Sequence, residues 1–117
     1  VNGEFRGESV IVIFQGGARK YEGEWYQGAP NGWGRLGKVD GSEFHEGEWH
    51  GGIAHGRGLR KESDGTVYEG SWFAGLRDGF GIAISPDGSR TQLQYRKGEL
   101  LATRPLHVNA TRKKEPE

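Results

Sequence analysis

The pentapeptide Tyr21-Glu22-Gly23-Glu24-Trp25 returns along this chain at a nearly fixed interval. It comes back as His45-Glu46-Gly47-Glu48-Trp49, as Tyr68-Glu69-Gly70-Ser71-Trp72 and, weakly, as Thr91-Gln92-Leu93-Gln94-Tyr95, after 24, 23 and 23 residues. A period this short, held over most of the 117 residues, is typical of a repeat array and not of a globular enzyme.

Further glycines follow each copy of the pentapeptide in a constant order: a lone glycine, then Gly-x-Gly, then Asp-Gly. The lone glycines are Gly28, Gly52, Gly75 and Gly98; the Gly-x-Gly pairs are Gly32 and Gly34, Gly56 and Gly58, and Gly79 and Gly81; the dipeptides are Asp40-Gly41, Asp64-Gly65 and Asp87-Gly88. Glycine loses more conformational freedom on folding than other residues, so 22 of them indicate that the backbone geometry requires glycine.

The unit resembles the MORN repeat, which runs roughly Tyr-x-Gly-x-Trp, Gly, Gly-x-Gly, Asp-Gly over about 23 residues. The resemblance extends from Tyr21 to Gly98. It implies a MORN-repeat sheet over residues 1–99, with a degenerate unit at 1–20, units at about 21–43, 44–67 and 68–90, and a partial unit at 91–99. Residues 100–117 leave the pattern, and we expect a capping segment and a polar tail there.

The residues themselves lead to the same architecture. Within each unit, aromatic residues and glycine alternate with acids, which is the period of a half-buried strand. Asp-Gly favours a tight reversal into the next unit, and we expect a wider loop at the lone glycine between the two strands of a unit. Every strand pair is then antiparallel. We therefore predict an all-β fold, an elongated single-layer antiparallel meander of repeated β-hairpins.

Two rows of large rings should cross this sheet, because equivalent residues of successive units lie two strands, about 9 to 10 Å, apart. One row is Trp25, Trp49, Trp72 and Tyr95, and the other is Tyr21, His45 and Tyr68. We interpret both rows as structural, with rings lying over glycine backbone in place of the core that a single layer lacks.

A second set of bulky residues changes type from unit to unit, at positions where the framework requires no particular side chain. Variation among repeated units can encode specificity, and exposed apolar surface marks interaction sites. The candidate partner-binding residues are Tyr26, Trp33, His50, Ile53, Phe73, Leu76 and Phe80. The alternative is that these side chains pack against one another or against the tail of the chain.

The two ends of the array differ from its middle. The run Val10, Ile11, Val12, Ile13 and Phe14 is apolar at every position, so a strand there needs cover on both faces. An open apolar edge strand is a template for pairing with another chain, and we predict edge association through these five residues. Near the other end, we expect a cap on the last hairpin and a solvated tail at 112–117; the capping residues are Leu100, Leu101, Leu106 and Val108.

Composition and motifs argue against an enzyme and against cofactors. Sixteen basic and sixteen acidic residues give a formal charge of zero, which disfavours nucleic acid as a partner, and the chain has no cysteine. Residues 32–39 match Gly-x-Gly-x-x-Gly and nearly a P-loop, but either phosphate site needs a helix to follow, and no helical periodicity does. We expect no catalytic residue, no cofactor and no small-molecule substrate.

The histidines and the repeated acids are interpreted as structural, neither as metal ligands nor as a catalytic pair. His45, His50 and His55 lie five residues apart and should alternate between strand faces, so no metal site is expected. The acids form a ladder along a flat sheet, with no cleft to desolvate a catalytic pair. We expect them to be solvated ion-pair partners of basic residues, namely Arg35, Arg57, Arg60 and Lys61.

Two functions remain. The first is a non-catalytic protein-protein interaction or scaffolding module that binds a partner segment or self-associates within a larger assembly. The resemblance implies such roles in the cytoplasm, at cytoskeletal or peripheral membrane structures. The second is a phospholipid head-group binding module for membrane attachment, although the neutral net charge predicts only weak contact with anionic phospholipid.

Overall fold

The computed structural model describes residues 8 to 106, which form nine β-strands in one sheet. The strands are β1 (Glu8–Phe14), β2 (Arg19–Tyr26), β3 (Ala29–Lys38), β4 (Phe44–His50), β5 (Ile53–Lys61), β6 (Val67–Phe73), β7 (Leu76–Ile84), β8 (Arg90–Arg96) and β9 (Glu99–Leu106). Each strand pairs antiparallel with the strand that follows it in the sequence. The predicted all-β single-layer meander is therefore confirmed. Within this range no helix is long and apolar enough to cross a membrane.

The turns inside the units are tighter than predicted. They consist of two residues that both have positive φ, such as Gln27 at 50° and Gly28 at 84°. The wider loop expected at the lone glycines is thus wrong, because a two-residue turn of this kind matches the twist of the paired strands. Ala74 and Lys97 occupy the same left-handed position as Gln27, although that conformation usually selects glycine or asparagine. The residue types at this position therefore give no sequence signal for a two-residue turn.

The turns between units contain the Asp-Gly dipeptides and are longer. Gly65 has a φ of 95°, and its amide donates a hydrogen bond to the carbonyl three residues earlier (2.9 Å). The Asp64 carboxylate accepts a hydrogen bond from the Thr66 amide at 2.9 Å. Equivalent bonds at Asp40 and Asp87, each from a backbone amide, hold the pKa of these carboxyl groups below its usual value. Asp-Gly thus closes the turn with a side chain as well as with glycine.

A β-bulge recurs before each tryptophan of the repeat. The register of β2 against β3 shifts between Gly23 and Trp25, and the two following units shift at equivalent places. The bulged Glu24 accepts a hydrogen bond from the Trp33 amide (2.6 Å), and Glu48 accepts one within its own unit (3.1 Å). The predicted role of the acids as ion-pair partners is therefore wrong for these two glutamates, because their carboxylates bind backbone.

The core is a ladder of aromatic rings on one face of the sheet, which we call the ladder face. Successive rings lie with centroids 4.5 to 6.1 Å apart, most of them edge to face. In order of contact they are Trp25, Tyr21, Trp49, His45, Trp72, Tyr68 and Tyr95. The five central rings are buried, which confirms the predicted structural role of both rows.

Glycine beneath the rings makes this burial possible. A Cβ at any of three glycines would overlap the ring above it; the pairs are Tyr21 over Gly34, His45 over Gly58 and Tyr68 over Gly81. The indole Nε1 of Trp49 donates to the Gly34 carbonyl at 2.9 Å, and the Tyr21 hydroxyl donates to the Glu24 carbonyl at 2.7 Å. Burial, with the charge of Glu24, raises the pKa of Tyr21 to about 12. The rings thus replace a second layer.

The edges of the described sheet are β1 and β9. On β1, three side chains pack against the ladder, whereas Ile11 and Ile13 are 62% and 61% exposed on the opposite side; the packed residues are Val10, Val12 and Phe14. At the other edge, Glu99–Leu106 pair with β8 and extend the sheet. Leu100 and Leu101 remain exposed. Residues 1–7 of the degenerate unit, and Val108 with the polar tail, lie outside the described residues.

Candidate functional site

The outer face, opposite the ladder, carries Trp33 and Phe80. Both occupy the middle of a Gly-x-Gly, on β3 and β7, and they are 50% and 56% exposed. Arg57 occupies the same position on β5 between them, so the three side chains form a row with a spacing of about 9 to 10 Å. Concavities of about 490 and 240 Å³ lie beside the Trp33 ring. Folding thus leaves two large rings accessible, as at surfaces that bind another molecule.

Charged side chains surround this row. The Nη2 of Arg35 lies 2.9 Å from the Oε1 of Glu46, so the predicted ion pairing holds for this glutamate. Glu69 lies between Leu59 and Ile82 on the neighbouring strands and makes no ion pair with another residue of the range 9–106. The outer face therefore mixes aromatic, aliphatic and charged groups, as protein interfaces do.

Tyr26, His50 and Phe73 lie at the turn end of the sheet, directly before the two-residue turns. The Phe73 ring contacts the His55 ring at a centroid distance of 4.8 Å, and His55 lies 6.1 Å from His50. The Nδ1 of His55 accepts a hydrogen bond from the Ala74 amide (3.4 Å). Phe73 thus packs in part against its neighbours, which is the alternative that the sequence left open.

Ile53 and Leu76 directly follow the same turns. Ile53 lines a concavity on the ladder face, and Leu76 lines the adjacent one. The structure therefore does not bring the seven candidate residues into one site, although it exposes all of them. Two lie on the outer face, three at the turn end and two at the border of the ladder face. Their contribution to binding remains a prediction.

The prediction that the three histidines diverge is wrong for two of them. His50 ends β4 and His55 lies on β5, and the turn at residues 51–52 brings their rings together. His45 is separate, within the ladder. Among the residues that the structure describes, no group of three histidine or carboxylate side chains is placed to hold a metal ion.

The segment that matches nucleotide-binding motifs lies on a strand. Gly32 to Lys38 belong to β3, and the chain continues into β4 without a helix between them. The backbone amides at a helix N-terminus, which both phosphate motifs require, are therefore missing from this part of the described chain. The glycines of this segment serve the sheet, because a side chain at Gly34 would overlap Tyr21.

Arg19 and Arg77, on the ladder face, were missed by the sequence reasoning, and Arg60 lies there too, paired with Glu62 and not with the acid ladder. The Arg77 guanidinium lies 4.6 Å from the centroid of the Tyr68 ring and 3.1 Å from the Glu62 carboxylate. Arg60 contacts the same carboxylate at 3.3 Å, and Arg19 lines the concavity next to it. Strand alternation could have located Arg60, because it lies two residues beyond the ladder-face Gly58 and so has the same orientation.

These arginines affect the electrostatics of His45, which lies in the ladder where two other units have tyrosine. Burial, together with the positive charges of Arg60 and Arg77, lowers the pKa of His45 from 6.5 to about 4. Its Nε2 has no hydrogen-bond partner among the described residues. His45 is therefore neutral in the folded protein at neutral pH.

We expect stability to fall on acidification because of His45. The unfolded chain protonates this histidine near its ordinary pKa of 6.5, whereas the folded chain resists protonation down to about 4. The stability contribution is thus fully present above pH 6.5 and is lost as the pH falls through this window, at up to about 1.4 kcal/mol per pH unit. Urea unfolding followed by circular dichroism at pH 4.5, 5.5 and 6.5 measures the slope.

His45→Tyr is the matched control, because tyrosine occupies this position in the units of Tyr21 and Tyr68. We expect the variant to be more stable than the original chain at pH 5 and to have a shallower slope between pH 4.5 and 6.5. The aspartates of the Asp-Gly turns lose their stabilising contribution only below this window, since their pKa values are lowered from 3.8. An unchanged slope in His45→Tyr would assign the acid sensitivity to other groups.

Comparison with known proteins gives one family. The family model of the MORN repeat matches residues 21–43, 45–67 and 68–90, which together make up more than half of the chain. Each matched segment contains one pentapeptide and its Asp-Gly turn. No curated protein matches the chain significantly. The resemblance on which the repeat units were defined is therefore confirmed.

Proposed function

The chain belongs to the MORN repeat family, and we propose that it is a non-catalytic scaffolding module whose outer face binds a segment of a protein partner. MORN repeats in general are modules for interaction or membrane binding. We expect the module to act in a cytoplasmic assembly at cytoskeletal or peripheral membrane structures.

One observation carries this proposal. Trp33 and Phe80 remain half exposed on the outer face, although the same sheet buries Trp49 and Trp72 on the ladder face to 7% exposure. Tryptophan and other large aromatic residues dominate the affinity of protein interfaces when a partner desolvates them. Two such rings in one row, with concavities beside Trp33, provide anchor points for an extended or helical segment.

The test is a double substitution, Trp33→Ala with Phe80→Ala. We expect it to reduce capture of the protein partner from native lysate at least about tenfold, because few residues dominate an interface. The stability should change by less than about 1 kcal/mol, since both rings are largely in water. Affinity capture with quantitative mass spectrometry identifies the partner, and calorimetry with that purified partner then gives the change in Kd.

Leu101→Ala is the control for loss of an exposed apolar side chain elsewhere on the sheet. It should leave capture unchanged, because Leu101 lies on β9 at the far edge. If the double variant captures the same partner with the same affinity as the original chain, the outer face is not the binding surface.

A second copy of the chain could also be the partner, through β1. The apolar run on this edge strand presents Ile11 and Ile13 to solvent, and edge strands of this kind pair with other strands. Sedimentation velocity over a range of concentrations measures such association. A monomer at every concentration would contradict edge association through Val10 to Phe14.

Phospholipid head-group binding is the competing function. Cosedimentation with phosphatidylserine vesicles at two salt concentrations measures it, because contacts between basic side chains and anionic lipid weaken as salt rises. Salt-sensitive vesicle binding that survives the double substitution, together with no captured protein, would favour membrane attachment over the proposed scaffold.

A further inference from the structure

A concavity of about 380 Å³ opens on the ladder face between the units at about 44–67 and 68–90. Trp49, Trp72 and His45 line it, and Ile53 and Ala54 border it at the turn end. The other residues that line it are Arg19, Leu36, Glu43, Phe44, Gly52, Arg60 and Gly75. This volume lies within the range of ligand sites in proteins, about 300 to 1,000 Å³.

The concavity exists because two side chains of the repeat are small in the unit at about 44–67. Ala54 pairs with Trp49 in the same way as Arg77 pairs with Trp72 one unit later. The Arg77 guanidinium covers the rings of its unit, 4.6 Å from Tyr68 and 5.5 Å from Trp72. Alanine leaves the equivalent space open, and His45, in a tyrosine position, fills less of the ladder. The fold therefore accommodates a covering side chain here that this chain does not supply.

The charges beside the concavity are predominantly positive. Arg60 and Arg77 share a single carboxylate, that of Glu62, at 3.3 and 3.1 Å. Arg19 makes no ion pair with any residue between 9 and 106. Glu43 is the one acid among the described residues that line the concavity, and its carboxylate lies 3.7 Å from the Lys38 ammonium outside it. A cation would be repelled from this space, whereas an anionic group would find guanidinium donors.

We propose that this concavity binds a peptide segment of a partner protein that carries a bulky apolar side chain next to a carboxylate. The apolar side chain packs over Trp49 and Trp72 against Ile53, in the space that Arg77 covers in the next unit. The carboxylate accepts hydrogen bonds from the guanidinium groups of Arg60 and Arg19, which match its geometry. The site is on the opposite face from Trp33 and Phe80 and does not depend on the binding proposed there.

The probe is the capped peptide acetyl-Gly-Leu-Phe-Asp-Gly-amide, titrated into isotope-labelled full-length chain. We expect saturable shifts of the Trp49 and Trp72 indole N–H signals and of the Ile53 methyl signals. Peptides with asparagine or lysine in place of aspartate, or with two alanines in place of leucine and phenylalanine, should bind at least about tenfold more weakly. Equal binding of the aspartate and lysine peptides would overturn the proposal.

Two variants locate the site. Ala54→Arg places an arginine over the rings, as Arg77 lies in the next unit, and so fills the concavity. It should abolish the saturable shifts. Arg19→Gln with Arg60→Gln removes the anion-binding groups, which are not in the buried core, and should raise the Kd about tenfold while the fold, checked by circular dichroism, persists. If the double variant binds the peptide with unchanged Kd, the arginines do not recognise it and the proposal fails.

Trp33→Ala is the control on the other face, and it should leave peptide binding unchanged. Loss of peptide binding in Trp33→Ala would place the site on the outer face and overturn the assignment. Binding of phosphatidylserine vesicles that Ala54→Arg abolishes, with no response to any peptide, would also overturn it, because the occupant would then be a lipid head group.

Discussion

Gly81→Ala is expected to destabilise the sheet by about 3 kcal/mol or more, although it adds one methyl group. A Cβ at this position would overlap the Tyr68 ring. That ring cannot yield, because it is buried between Trp72 and Tyr95, with centroids 5.7 and 5.9 Å away. The new methyl group must therefore displace the ring from the ladder, and the cost approaches that of losing a buried aromatic side chain. Urea unfolding followed by circular dichroism measures the change.

Gly88→Ala separates this overlap from backbone strain. Gly88 has a φ of 93°, and no atom lies within 4 Å of an added Cβ. Alanine at this position therefore loses only the free energy of adopting a left-handed backbone conformation, about 1 to 2 kcal/mol. Gly81 has no positive φ, and its substitution tests packing alone. If Gly81→Ala costs no more than Gly88→Ala, the rings can shift freely and the ladder is not a rigid core.

Trp49→Ala should cost about 3 to 5 kcal/mol, the range for a large buried aromatic residue. Trp49 is 7% exposed and lies edge to face against Tyr21 and His45, at 6.1 and 5.2 Å. Its indole also donates to the Gly34 carbonyl at 2.9 Å, so truncation leaves a buried acceptor without its partner. A single-layer sheet has no second layer that could fill the space. Thermal and urea unfolding give the change in free energy.

Trp33→Ala is the matched control for Trp49→Ala, because the same residue type stands on the outer face at 50% exposure. Its loss should cost less than about 1 kcal/mol. Similar costs for the two substitutions would show that the two faces are equally buried in solution, which would contradict the one-sided core.

The sheet order and the roles of the rings could be predicted because they depend on local pattern. Alternation in Tyr21 to Trp25 assigns the strand, and its return after 23 or 24 residues makes every connection short and every pair antiparallel. The turn residues were harder to interpret. Gln27 and Lys97 adopt positive φ because the twist of the strands on both sides requires it. Neither glutamine nor lysine favours that conformation, so neither predicts it.

The positions of the candidate site residues could be predicted less well than the strand order. A sequence pattern identified the variable residues as a single group, but the sheet separates Trp33 and Phe80 from Ile53 and Leu76. It also assigned Glu24 to ion pairing, whereas the bulge turns that carboxylate toward a backbone amide. Neither arrangement follows from a single segment, because side-chain direction after a bulge or a turn depends on the paired strand.

The amino-acid pattern is sufficient to predict a repeated antiparallel meander stabilised by rings over glycine. It is sufficient because strand period, turn glycines and repeat length are all local properties of the chain. Which space stays open on the sheet depends on the packing of neighbouring units. Ala54 and His45 leave a concavity, and Arg60 and Arg77 share one carboxylate beside it, only because neighbouring units stack at a fixed register. Such arrangements depend on distances between residues far apart in the chain, and these distances exist only in the folded sheet.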